Sequence, residues 1–138
     1  MRIRPFEADD EPAVIALWER CKLIRPWNDP RKDIARKLGV QRELFLIGTE
    51  NGRIVAAVMA GYDGHRGSVN YLAVDPQLRR RGHGRAMMRR VEELLLAHGC
   101  PKVNVMARSA NAEVVAFYRR LGYAPDEVVA LGKRLITD

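Results

Sequence analysis

The stretch Val69–Arg85, VNYLAVDPQLRRRGHGR, constrains this chain more than any other. Val69 to Val74 has the apolar character of a strand, Asp75-Pro76 interrupts it, and helical spacing of apolar residues begins at Met87. Between strand and helix lie Arg79, Arg80, Arg81, Gly82, His83, Gly84 and Arg85. Two glycines one residue apart let the backbone approach a ligand closely, and a helix start behind them turns free amides toward it. Guanidinium forks beside such amides match phosphate oxygens and stay charged at any working pH. The stretch therefore predicts a strand, an anion-binding turn suited to a ligand with several phosphates, and a helix. It is not a dinucleotide fingerprint, which needs a third glycine where the chain has Met87, and it lacks the Gly-Lys-Ser/Thr of a nucleotide P-loop.

The remaining residues build an α/β chain around this unit. A length of 138 residues suits a single domain, 1–138, with one core. Residues 2 to 6 read as a first strand, and Asp9, Asp10 and Pro12 open a helix whose apolar face carries Val14, Leu17, Trp18 and Cys21. Residues 23 to 30 hold two prolines and no period, which predicts a loop; Arg31 to Leu38 then predicts a short second helix. Strands at 44 to 48 and 53 to 60 flank Asn51-Gly52, a two-residue hairpin signal. A second hairpin runs through Tyr62-Asp63-Gly64-His65-Arg66-Gly67 into the strand before the anion turn. The long helix ends at Gly99 and Pro101, and Lys102 to Ala107 predicts a strand parallel to the one before the turn, through a right-handed crossover. The turn then lies beyond the C-terminal end of a parallel strand, where such sheets bind ligands.

A second informative stretch is Ser109 to Tyr123. Asn111 predicts a helix cap, Val114, Phe117, Tyr118 and Leu121 mark an apolar face, and Gly122 closes the helix. Val128 to Ile136 predicts a last strand. Together, Val-Asp-Pro with Arg-x-x-Gly-x-Gly, followed by Asn, Phe-Tyr and Leu-Gly-Tyr, resemble the two signatures of the GNAT family of N-acetyltransferases. The likeness runs from end to end. Leu-Ile-Arg-Pro-Trp-Asn-Asp-Pro at 23 to 30 and Gly-Tyr-Asp-Gly-His-Arg-Gly at 61 to 67 are especially similar to one bacterial group within it.

The resemblance implies the GNAT acyl-CoA N-acyltransferase fold, an α/β (α+β) arrangement with a mixed central sheet of about six or seven strands flanked by about four helices. It implies acetyl-CoA as cosubstrate and an amine acceptor that attacks the thioester directly, without a covalent enzyme intermediate. The edges of Leu72, Ala73 and Val74 are expected to hold the pantetheine arm and acetyl carbonyl. Arg79, Arg80, Arg81, Gly82, His83, Gly84 and Arg85 are expected to cradle the pyrophosphate, with Asn111 also touching the coenzyme. An amide aimed at the tetrahedral oxyanion is typically worth ~3 kcal/mol.

Tyr118 matches the tyrosine that many members place beside the coenzyme sulfur as general acid. With ordinary pKa values of about 10 for tyrosine and about 8.5 for a thiol, proton transfer to the thiolate is uphill by ~2 kcal/mol. Tyr118 thus needs either a lowered pKa, from Arg119 or Arg120, or a role as hydrogen-bond donor to the departing sulfur. The segment linking the first two helices commonly lines the acceptor pocket in the family, which makes Trp27, Asn28 and Asp29 acceptor candidates. Asp63 and His65 join them, and Asp29, Asp63, His65 or ordered water are the candidates for general base. Ribosomal-protein acetyltransferases of the family place a glutamate where this chain has Met106, a departure that counts against that substrate.

Composition narrows the alternatives. Cys21 and Cys100 lack metal-ligand spacing and the three histidines are scattered, so no metal is expected and the thiols are expected to be buried and reduced. The N-terminus lacks the apolar run of a secretory signal, and no stretch approaches the ~20 apolar residues of a membrane span, which predicts a cytoplasmic protein without membrane partners. A net charge of +7 attracts polyanions without naming one. No zinc finger or aromatic-rich RNA signature accompanies it, so no specific nucleic-acid partner is expected. A non-catalytic acyl-CoA sensor and a basic nucleic-acid binder remain the rival readings, and homodimerisation stays open.

Overall fold

The N-terminal residues of the computed structural model, which describes all residues 1–138, form strand β1 (Arg2–Pro5) and then a 3-10 turn at Ala8–Asp10. Asp10 organises this start. Its carboxylate accepts both guanidinium N–H groups of Arg4 at 2.8 and 2.9 Å and the Glu7 amide at 2.8 Å. Helix α1 (Glu11–Arg20) follows at once, with proline in its first turn where no amide partner is lost. Helix α2 (Pro30–Leu38) is capped by Asp29, whose Oδ1 accepts from the amides of Arg31 and Lys32.

Three antiparallel strands come next, β2 (Phe45–Glu50), β3 (Arg53–Tyr62) and β4 (Gly67–Val74). Asn51 and Gly52 both take left-handed conformations, φ 51° and 76°, which matches the strand twist of a two-residue hairpin. Helix α3 (His83–Ala97) crosses over to β5 (Val103–Val105), which pairs parallel with β4. The sheet order is β1-β2-β3-β4-β5.

Each sheet face buries a helix layer. On one side Val14, Leu17 and Trp18 of α1 and Ile34 of α2 meet Phe45, Ile47 and Ala57. Phe6 stacks on Phe45 with ring centroids 4.3 Å apart, and Trp18 stacks on Tyr71 at 4.0 Å. On the other side Met87, Met88, Val91 and Leu95 of α3 are buried, as their helical spacing requires. Gly67 lies under the end of α3: a Cβ there would come within 2.9 Å of Cys100 Sγ and 3.0 Å of Leu95 Cδ1. Cys100 is buried and Cys21 half-buried, and both thiols are free.

The chain divides into two units, Met1–Val105 and Met106–Asp138. The second holds helix α4 (Ala112–Arg120), capped by Asn111, whose Oδ1 accepts the Val114 amide. Four helices match the expectation; the sheet has five strands where six or seven were expected. The expected strand at 128 to 136 is absent. Val128, Val129, Leu131 and Leu135 are at least 77% exposed, and no neighbouring strand takes up the backbone groups of this segment. Apolar alternation yields a strand only where a partner ladder exists. β5 is likewise shorter than the expected Lys102 to Ala107.

Candidate functional site

β4 carries the first element of the site. Its pairing with β5 stops at Val69↔Val105, so Asn70 to Val74 have no ladder partner from β5. The expected ligand edge, Leu72, Ala73 and Val74, lies within this unpaired length. The partnership with β3 is also irregular. Ala57 pairs with Ala73 and Met59 with Asn70, leaving Tyr71 and Leu72 together opposite Val58, a β-bulge in β4. Tyr71 holds the left-handed φ of 54°, a conformation that costs a non-glycine residue ~1–2 kcal/mol. The Trp18 stack and a 2.6 Å hydrogen bond from Tyr71 Oη to Asp33 Oδ2 hold it there. Strain of this kind, overdetermined by its surroundings, is typical of ligand sites.

The turn expected to bind an anion follows immediately. Asp75, only 3% exposed, fixes it: its amide donates to Val55 O, Oδ1 accepts the Gln77 amide at 3.0 Å, and Oδ2 accepts Arg20 Nη2 at 3.2 Å. Arg53 Nη2 adds a longer ion pair at 3.8 Å. From the far end of α1, Cys21 Sγ donates to Val74 O. Arg80 (φ 66°) and Gly82 (φ 81°) then reverse the chain, with Gly82 as the cap of α3.

The cap matters chemically. The Ala86 amide donates to Gly82 O, so the amides of His83, Gly84 and Arg85 come before the first intrahelical bond. Gly82 has no side chain to satisfy them, which leaves them to an anion. Arg79, Arg80, Arg81 and Arg85 are exposed and make no internal ion pair. His83 differs from the expectation in its side chain. Its Nε2 lies 3.2 Å from Glu50 Oε1, too poorly aligned for a hydrogen bond, so its contribution to the turn is its amide.

The loop candidates divide. Asp29 caps α2, and Trp27 is 52% exposed instead of pinning its loop to the core; Asn28 donates its amide to Arg25 O within the same loop. Asp63 Oδ1 accepts the amides of His65 and Arg66 at 2.7 and 2.8 Å, and these bonds hold its carboxyl below the ordinary carboxylate range. Asp63 is a turn-former with Oδ1 committed to its own loop, and His65 is exposed beside it.

In the second unit, Asn111 caps α4, which commits its side-chain oxygen to the Val114 amide. Tyr118 sits between Phe117 and Tyr123, edge to face with both at centroid distances of 5.1 and 5.5 Å. Burial pushes its phenol up to about 12. The lowering by Arg119 or Arg120 considered from sequence does not occur. Tyr118 remains a protonated donor across the whole physiological range. Met106 is 77% exposed.

Sequence reasoning missed Asp33, Lys37 and Tyr71. Asp33 meets Tyr71 across 38 positions, which no local pattern reveals. The i, i+4 spacing of Asp33 and Lys37 on α2 was the available signal.

The acetyltransferase (GNAT) family profile matches residues 9–123. An acetyltransferase of Yersinia pestis (strain Pestoides F) is 53% identical over 138 residues, covering 100% of this chain and 98% of that protein. One from Pectobacterium atrosepticum shows the same identity and coverage. The crystal structure of the ribosomal-protein-S18-alanine N-acetyltransferase from Escherichia coli superposes with a TM-score of 0.72 at 26% identity, over 88% of this chain and 76% of that one. The unpaired β4 edge, the amide turn at the start of α3 and a family match across most of the sequence converge: this chain belongs to the GNAT acetyltransferase family.

Proposed function

We propose that the protein transfers the acetyl group of acetyl-CoA to the amine of a small molecule or protein in a ternary complex. The observation that carries this reading is the turn Arg79–Arg85, which combines free helix amides with unpaired guanidinium groups directly after an unpaired strand edge. Such a set suits the pyrophosphate and ribose phosphate of coenzyme A, with the pantetheine arm lying along Leu72, Ala73 and Val74. Asn111 then contributes through its backbone or the free face of its amide.

In this reaction the amine nitrogen bonds to the thioester carbon, the carbon–sulfur bond breaks, and the amine's surplus proton leaves to solvent or a base. Tyr118 serves as a hydrogen-bond donor to the departing sulfur. With its phenol at about 12 against a thiol near 8.5, full transfer of its proton would be uphill by roughly 5 kcal/mol. The thiolate is therefore stabilised where it forms and takes its proton from water.

Met106 supports an acceptor other than the ribosomal protein named for the Escherichia coli structure. Thiol release from acetyl-CoA across a panel of amines, amino acids and N-terminal peptides tests the reading. Turnover that depends on Tyr118 supports it; tight acetyl-CoA binding without any turnover favours a sensor, and salt-sensitive DNA binding indifferent to acetyl-CoA favours a nucleic-acid binder.

A further inference from the structure

The side of α2 facing the sheet carries two opposite charges one turn apart, Asp33 and Lys37. Asp33 reaches β4, accepting from Tyr71 Oη, while its other oxygen takes Arg36 of its own helix. Lys37 reaches β3, donating to Ala60 O. This is the one hydrogen bond of its ammonium group, which has three N–H donors and is half-buried. Burial shifts the Lys37 amine downward, only partly offset by the charge of Glu43.

Below these groups the sheet offers polar side chains in place of a core. Ser68 is paired with Gly61 and Asn70 with Met59 on the same face, both are exposed, and neither side chain has an internal partner. Gly61 leaves the space open. The point where its Cβ would lie is 3.5 Å from Gln41 Oε1, 3.7 Å from Ser68 Oγ and 3.8 Å from Lys37 Nζ. Gln41 is not available to a ligand, since its amide brackets the backbone of Tyr62 at 2.8 and 2.9 Å. Lys37 Nζ and Ser68 Oγ thus converge on one small open volume.

The charges have a direction. Lys37 stands at the Ser68 end of β4, and Asp33 stands at Tyr71, next to the Leu72 edge where the acetyl group is placed. The two residues stand one turn apart, about 6 Å along the helix axis. Opposite charges in this order, one at each end of a short stretch of β4, suit a small zwitterion.

We infer that the acceptor is a free α-amino acid bound as a zwitterion, its ammonium on Asp33 beside the bulge and its carboxylate on Lys37 and Ser68. The inference rests on the N-acetyltransferase reading above. A peptide N-terminus fits less well, because its first carbonyl is an amide that leaves the Lys37 charge unanswered. A polyamine would bring a second cation to Lys37.

The test compares acetyl transfer to the standard α-amino acids, to their carboxamides and to the corresponding decarboxylated amines. The favoured amino acid is expected to exceed its carboxamide in kcat/KM by about tenfold or more, the usual worth of a charge-assisted hydrogen bond. Lys37→Met is expected to remove most of that preference by raising the acceptor's KM, not that of acetyl-CoA. Carboxamides, peptides or polyamines used as well as the amino acid would overturn the inference while leaving the acetyltransferase reading intact. So would a preference that survives in Lys37→Met. Failure of the wild-type protein to bind or consume acetyl-CoA would overturn both. The wild-type comparison decides the matter even if the variant folds poorly.

Discussion

Two turns in this protein look equally rich in chemistry, and they differ in what their polar groups are already doing. In the loop from Asp63 to Arg66, the aspartate accepts two amides, Arg66 donates to His65 O, and the charge of Asp63 is held by its own backbone. In the turn from Arg79 to Arg85, amides stand ahead of the first helix bond and the arginines have no internal partner. Residue type does not separate the two. Unused hydrogen-bonding capacity does, because an internally satisfied donor gains little by exchanging its partner for a ligand.

The sharpest way to break this contrast is at Gly82. Valine at φ 81° meets both the left-handed penalty and its branched side chain, so Gly82→Val is expected to weaken acetyl-CoA binding on the order of 100-fold by calorimetry. An unchanged Kd would mean the amides are not the anion site. Tyr118→Phe comes next, with kcat falling by more than about tenfold and acetyl-CoA affinity kept.

The pH behaviour of Tyr118 follows in sign from its environment. A folded pKa of about 12 lies above the ordinary value near 10, so the neutral phenol and any stability it brings persist through pH 10 and are lost only as the pH rises further. No alkaline limb below about pH 10 should therefore disappear in the Tyr118→Phe variant. If one does, proton donation by a lowered phenol returns.

Smaller effects sharpen the contrast from both sides. Arg80→Ala is expected to raise the KM for acetyl-CoA by about fivefold, with the difference shrinking at high salt. Asp63→Ala should leave both substrates' KM values unchanged and lower thermal stability slightly near neutral pH. Because its folded pKa is depressed, that stabilisation exists above the ordinary carboxylate range and fades as the pH falls through the folded value. Melting curves of wild type and Asp63→Ala should converge in acid; a raised acceptor KM instead would restore Asp63 to the site.

Local patterns carried most of the fold. Asn51-Gly52, the Asp29 and Asn111 caps and the apolar spacing of α3 are each decided by residues a few positions apart, so they could be read directly. The glycine turn that opens α3 was legible for the same reason. The surroundings of Tyr71 were not: the bulge there has no glycine to announce it, and Asp33, Trp18 and Tyr71 meet only through packing. The missing last strand is the converse case. Its alternation was real, yet whether Val128 and Leu131 pair depends on a neighbour that no local window contains.

Gly67 adds a mechanical consequence. It sits under the last turn of α3, where even a methyl group would press on Leu95 and Cys100. The first turn of the same helix, roughly 22 Å away, carries the amides proposed to meet the coenzyme phosphates. A stiff helix with a fulcrum at one end behaves as a lever. A side chain added at position 67 would tilt that lever and move those amides without touching them, so on the proposed reading acetyl-CoA affinity is set in part from the opposite end of the helix.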